Sequence, residues 1–375
     1  MSQHLDGDIT HDPIYNTVDR DDFNALIEVE RYADRSDAFD GIISATVDHF
    51  WDPADPRYID FSQPFDMKNE TLMPREFSPE LSSAVADKLT EEQQIRLANQ
   101  NTRFIMSSIL HGEQGAMSLS ASLCQIMRDP GAQEYAANQT REEARHVNAY
   151  ARYIGTRWGS PIQVGPSLRG LLNEIIPSPH VYKKLVGMQM LIEGLAMGAF
   201  ATIFRETRDP LLRRTTQLVM SDEAFHHKFG KIWADKTVPK LTEEEHIQVE
   251  DWAAQCFTFL LDNLINSEQK QEIYKEFDLD WQWVRSAVLE AFSDHDRRED
   301  MQSSTNIFRV LIKTLLKAGI ITDRTKDTYA MWVDMEELKK EDDEVVGSDL
   351  AEATVDELRE INKGRQKMVR MLSSN

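Results

Sequence analysis

Two stretches of this 375-residue chain carry the same acidic and imidazole side chains at the same intervals, eighty residues apart. The first reads Glu113, then Asp129-Pro130, then Glu143-Ala-Arg-His146. The second reads Glu193, then Asp209-Pro210, then Glu223-Ala-Phe-His226, and even Ala116-Met117 recurs as Ala196-Met197. A glutamate and a histidine three apart share one face of a helix, so Glu143 with His146, and Glu223 with His226, can each serve a single site. Carboxylates are hard oxygen donors able to bridge two cations, and imidazole suits iron. A zinc hydrolase would show more nitrogen or sulfur and fewer carboxylates.

The sequence contains its own control. Glu243-Glu-Glu-His246 also fits the Glu-x-x-His pattern, but Arg213 stands where its partner glutamate should be, and Thr242 with Glu245 reads as a capping box at a helix start. That match is structural. The duplicated set is different, because four glutamates on apolar helices would be costly to bury without a cation.

Each copy predicts a helical hairpin, with an N-cap aspartate and a first-turn proline starting its second helix. Glu113 lies sixteen residues before Asp129 and Glu143 thirteen after Pro130. At about 1.5 Å per residue both sit roughly 20–24 Å from the turn, level with each other. Packing the two hairpins face to face brings four carboxylates and two imidazoles together at mid-bundle, the ligand set of di-iron and di-manganese carboxylate bundles.

The surrounding chain is read more coarsely. Residues 1–85 are an acidic, turn-rich arm with a short helix near Asp21 to Ala33, 86–240 the ferritin-like bundle, and 241–375 a C-terminal helical extension ending in the basic stretch GRQKMVRML. Without β-alternation in the middle or C-terminal thirds, the predicted fold is all-α: a four-helix bundle core with additional N- and C-terminal helices. Leu185 to Phe204 is apolar enough to span a membrane, but Glu193 sits near its middle, so a helix buried in a bundle is predicted and no membrane partner. A net charge of -22 argues against nucleic acid. Two cysteines cannot make a disulfide framework or hold an iron–sulfur cluster, and MSQHLDGDITHD lacks a secretory pattern, so a cytoplasmic location is expected.

At these residues the chain resembles the ferritin-like di-iron oxidase superfamily. That group includes multicomponent monooxygenase hydroxylases, soluble acyl-carrier-protein desaturases, ribonucleotide reductase small subunits and arylamine N-oxygenases. The resemblance covers about residues 90 to 237 and implies two iron ions, with Mn/Fe possible in their place. It implies Glu143 and Glu223 as bridging ligands, Glu113 and Glu193 as terminal ones, and His146 and His226 as one nitrogen on each metal. Glu142 and Asp222 resemble the groups that orient the opposite histidine, and Arg145 would pair with Asp222. Phe225 stands where some relatives have arginine.

Other positions divide the superfamily. Tyr150 resembles the placement of a reductase radical tyrosine, with a core tyrosine as the alternative, but the chain ends RQKMVRMLSSN rather than in a tyrosine-bearing acidic tail. Val219 occupies the place of an N-oxygenase's third histidine, and His227 points elsewhere on its helix, towards the surface or an outer shell. Ala116, Met117, Ala196 and Met197 are candidates for a pocket wall. Trp51 is either on an electron route or an anchor for the arm, and the anchor is the preferred reading. The expected function is an oxygen-dependent oxidoreductase that hydroxylates, desaturates or N-oxidises an apolar or aromatic small molecule. Its partners would be dioxygen, an electron donor such as a ferredoxin or flavin reductase, and a second copy in a homodimer. A ferroxidase and a radical-generating reductase subunit are the alternatives.

Overall fold

Two hairpins of long helices form the centre of the molecule, as the computed structural model describes it over residues 13–291, 307–330, 332–341 and 347–363. The principal helices are α1 (Asp40–Asp48), α2 (Glu91–Ile126), α3 (Pro130–Trp158), α4 (Pro166–Ile175), α5 (Val181–Glu206), α6 (Pro210–Thr237), α7 (Glu243–Ile265), α8 (Ile307–Lys317) and α9 (Ser348–Lys363). No strand forms among the described residues, so the chain is all-α. The initial and final stretches MSQHLDGDITHD and GRQKMVRMLSSN lie outside the described residues.

Local chemistry fixes the helix ends. Thr90 and Gln93 close a capping box at the start of α2. Asp129 Oδ1 accepts from Gly131 N at 2.7 Å and Asp209 Oδ1 from Leu211 N at 3.0 Å, each aspartate capping the helix its proline begins. Asp209 has a second task. Arg157, near the end of α3, reaches it through two bonds of 2.8 Å and Tyr153 through one of 3.0 Å, which ties the turn of the second hairpin to the first.

α2 packs on α3 and α5 on α6, and α3 then meets α6 across the site. The later helices enclose this centre: α7 lies on α4 and α5, α8 on α5, and α9 on α6. Two-thirds of the apolar window in α5 is buried inside the protein. At the third Glu-x-x-His, Thr242 and Glu245 cap α7 and His246 Nε2 meets Gly319 O at 2.9 Å.

Two local details differ from the sequence reading. The arm has no helix across Asp21 to Ala33, only short pieces at Phe23–Leu26 and Glu30–Tyr32, because Phe23, Val29 and Tyr32 face solvent and supply no packed stripe. Its real helix is α1, packed on α3 and α6. In α5, residues Leu185–Ile192 wind as a π-helix, and regular α-helix resumes at Glu193. The wide segment is held by its neighbours. The backbone at Gln189 comes so close to Gly230 that a Cβ there would lie 2.8 Å from Gln189 Cβ. His227 Nδ1 reaches the Gln189 carbonyl at 3.3 Å, so His227 is a buried brace for the π turn rather than a surface group.

Candidate metal centre

α3 and α6 each present a glutamate, a histidine and an outer acid to the bundle axis, while α2 and α5 each add one glutamate. Glu143, His146, Glu223 and His226 offer ligand atoms that all lie within 4.8 Å of one another. His146 Nδ1 stands 2.9 Å from Glu223 Oε1, 3.2 Å from Glu113 Oε2 and 3.3 Å from Glu143 Oε2. His226 Nδ1 stands 3.0 Å from both Glu143 Oε1 and Glu223 Oε2. Glu143 and Glu223 therefore each face both histidines, whereas Glu113 stands beside His146 alone. Glu193 completes the group beside Glu223, whose charge acts on it directly.

The outer ring nitrogens face away from this cage and are held crosswise. His146 Nε2 donates to Asp222 Oδ2 at 2.9 Å and His226 Nε2 to Glu142 Oε2 at 3.0 Å, so each hairpin's acid orients the other hairpin's imidazole. That bond fixes the proton on Nε2 and leaves Nδ1 available as a ligand. Arg145 Nη2 joins Asp222 Oδ2 at 2.9 Å.

Charge shows what the cage is suited to hold. Six buried carboxyl groups, Glu113, Glu142, Glu143, Glu193, Asp222 and Glu223, face Arg145 and three imidazoles. Burial, then the charge of Glu223, pushes Glu113 and Glu193 well above the usual carboxylate range. Burial also pushes Glu143 and Glu223 upward, but the His226 charge together with hydrogen bonds from His146 and His226 outweighs it and holds both below that range. Glu143 Oε2, Glu193 Oε1 and Glu223 Oε1 are buried with no hydrogen bond made to them. One Nδ1 cannot donate to three carboxylates, so these contacts are repulsive unless a cation lies among them. Metal bonds of about 2.1 Å at right angles leave neighbouring donors about 3 Å apart, the spacing seen here. The donor set fits two metal ions, whose four positive charges would nearly balance the excess of carboxylates.

The arm supplies residues that the duplicated motif does not contain. Trp51 Nε1 donates to Asp222 Oδ2 at 2.9 Å, and its ring lies nearly parallel to His146 with centroids 6.0 Å apart. His49 Nε2 stands 3.1 Å from Asp222 Oδ1 and 3.3 Å from Glu142 Oε1, with its ring stacked on Phe225. Gln139 Nε2 donates to Glu143 Oε1 at 3.1 Å and pairs with Gln189 of the π segment. Sequence reasoning missed His49 and Gln139. His49-Phe50-Trp51 was the signal in reach, but nothing in its spacing ties it to the repeat.

Beside Glu113 and Glu193 opens a cavity of about 310 Å³, walled by Ile109, Ala116, Ile192, Leu195, Ala196 and Phe200 among others. Ala116 and Ala196 line it. Met117 and Met197 do not, which corrects their reading as pocket wall. Met197 is fully buried against the other side of the helix, in the cluster with Met220 and towards Gly347 before α9. The residues three places after each terminal glutamate turn to the cavity, and those four places after turn past it. Tyr150 is buried and stacked on Phe200, and burial followed by the Glu113 charge pushes its phenol well above its ordinary value. Val219 is a core residue.

No described protein family matches the sequence, and no curated protein matches it. Solved structures do. The R2-like ligand-binding oxidase from Sulfolobus acidocaldarius is 17% identical, with a TM-score of 0.43 over 68% of this chain and 86% of that one. A point variant of an R2-like ligand-binding oxidase with an anaerobically reconstituted Mn/Fe cofactor is 17% identical, with a TM-score of 0.44 over 70% of this chain and 92% of that one. The photoconverted form of such an oxidase, with an aerobically reconstituted metal cofactor, gives 16% and 0.42 over 70% and 92%. The case for two metals rests on the donor atoms themselves.

Proposed function

We propose that this chain is a dioxygen-dependent oxidase or oxygenase working through two iron ions, with manganese able to replace one, on an apolar or aromatic small molecule. The observation that carries the reading is the meeting of a carboxylate and imidazole cage with an apolar cavity at Glu113 and Glu193. A ferroxidase that only handles iron has no need of such a cavity beside its metals.

In this reading Glu113, Glu143, Glu193 and Glu223, with His146 and His226, would hold the two metals. Metals bound there would supply Lewis acidity and the electrons for dioxygen reduction. The protein's own part follows from its contacts. Asp222 and Glu142 keep the two Nδ1 lone pairs turned inward by accepting the Nε2 protons. Ile192, Leu195 and Phe200 exclude water from the cavity and hold a substrate against the terminal glutamates. Electrons arrive from a separate ferredoxin or flavin reductase, and the Trp51–Asp222–His146 contacts offer them a continuous way inward. A basic face on that donor would suit the chain's net charge of -22. Cytoplasmic location belongs to the same proposal, since Cys124 and Cys256 are free thiols.

The test is anaerobic iron(II) loading followed by oxygen, monitored by optical and Mössbauer spectroscopy. Two coupled irons per chain, with oxygen consumption accelerated by an apolar or aromatic substrate, is the expected result. Uptake of many irons per chain without such acceleration would favour iron handling. Product analysis would then separate hydroxylation, desaturation and N-oxidation.

A further inference from the structure

The two hairpins repeat each other except at one charged position of the outer ring. With the eighty-residue offset, Glu142 corresponds to Asp222, His146 to His226, and Arg145 to Phe225. Arg145 places its guanidinium 2.9 Å from Asp222 Oδ2, and its grip on Glu142 is looser, at 3.6 Å. An arginine at 225 would by the same symmetry serve Glu142. Phe225 cannot, and Glu142 is buried beside Asp222 with like charge.

The arm fills the gap. The His49 ring lies flat on the Phe225 ring, with centroids 5.0 Å apart and planes 3° apart, in the space over the second hairpin that a longer side chain at 225 would need. From there Nε2 reaches Glu142 Oε1 at 3.3 Å and Asp222 Oδ1 at 3.1 Å, on oxygens other than those that accept from His226 and His146. We infer that His49 is a positioning residue: from the N-terminal arm its imidazole takes the place of the arginine missing at position 225 and holds Glu142 and Asp222 aimed at the two metal-binding histidines. The local balance agrees: burial opposes a charge on His49, but Asp222 and then Glu142 outweigh it and raise the imidazole to about 9. The inference rests on the metal-site reading above, and it makes the arm part of the site rather than its cover.

Manganese(II) binding to the full-length, chelator-stripped protein tests it, with His49→Gln, Phe225→Arg and the double variant compared against the parent. Outer groups of this kind typically change metal affinity by about 10–100-fold. His49→Gln is expected to weaken binding within that range. The double variant should return to within about threefold of the parent, by the same reckoning, because the arginine takes the imidazole's place. A merely structural role for His49 would not be rescued from Phe225, since an arginine there does nothing to fasten the arm. Equal affinity of His49→Gln and parent overturns the inference, as does a double variant no better than the single one, circular dichroism having shown both folded. A third manganese per chain in the parent, lost in His49→Gln, overturns it too, since His49, Glu142 and Asp222 would then be ligands. A parent that binds no manganese or iron refutes the metal-site reading and takes this inference with it.

Discussion

Replacing Glu193 by glutamine should strengthen the metal-free protein and weaken the metal-bound one. Glu193 is fully buried, one of its oxygens lacks a hydrogen bond, and burial together with Glu223 pushes its carboxyl well above the usual range. In the stripped protein the folded state therefore holds a proton on Glu193 that the unfolded state has released once the pH passes the ordinary value of 4.5. The folded state then binds more protons than the unfolded one, so stability falls as pH rises from there towards the raised value. Each such group costs about 1.4 kcal/mol per pH unit in that window. Through that window the parent should lose stability at this slope through Glu193. Glutamine has the shape of the neutral acid and no proton to lose, so it removes this slope. At this chain length about 1 kcal/mol corresponds to roughly 1–2 °C, so within that window the variant should gain roughly 1–3 °C over the stripped parent for each pH unit, the gain vanishing near pH 4.5. With metal the order reverses. A ligand concentration 100 times the dissociation constant stabilises by about 2.7 kcal/mol, and a variant whose affinity is lowered about 100-fold forfeits nearly all of it. Chemical denaturation of both proteins across pH, with chelator and with manganese(II), reads both signs. Loss of 2 kcal/mol or more in the stripped variant at pH 7, or an undiminished manganese effect, would refute the reasoning.

Ala196→Leu should narrow the cavity beside the cage, leaving two metals per chain by elemental analysis but slowing substrate-accelerated oxygen uptake at least tenfold, whereas Met197→Thr should cost about 1–3 kcal/mol in denaturation and leave that uptake unchanged. Glu143→Ala should lower metal from about two per chain towards one or none, while His246→Ala keeps full metal content and loses under about 1 kcal/mol for its one bond to Gly319 O. Oxygenation of the reduced parent should give no long-lived tyrosyl radical by electron paramagnetic resonance, and a stable signal abolished in Tyr150→Phe would favour the radical-generating reading.

What could be read from the sequence was whatever repeats or caps locally. The eighty-residue offset, the Asp-Pro starts and the Glu-x-x-His spacing place the hairpins because helix rise and face are set by neighbours a few residues away. The π segment escaped that reading, since the wide turn before Glu193 depends on His227 and the bare Cα of Gly230 on another helix. So did His49, for which the informative fact is the arginine missing at Phe225, visible only when two copies of the motif are laid over each other in space. Met117 and Met197 failed for a different reason. A residue four places after a ligand shares its helix face only to within the width of that face, and here the cavity opens towards the residue three places after.

The last described helix, α9, is tied to the arm: Tyr58 Oη donates to Asn362 Oδ1 at 2.5 Å, and Asn362 Nδ2 donates to Phe50 O at 2.8 Å. These partners are 304 and 312 residues apart, and Trp51 and Asp222 are 171 apart, whereas each hairpin pairs segments adjacent in sequence. Contacts that close such long loops form late, and those within a hairpin form early. The order of assembly then runs from the inside outwards, with the carboxylate cage in place before the arm and α9 close over it. Metal entry is expected to be fastest in that interval, and a chain refolded with its metals present should acquire them more quickly than the same chain offered them after folding is complete.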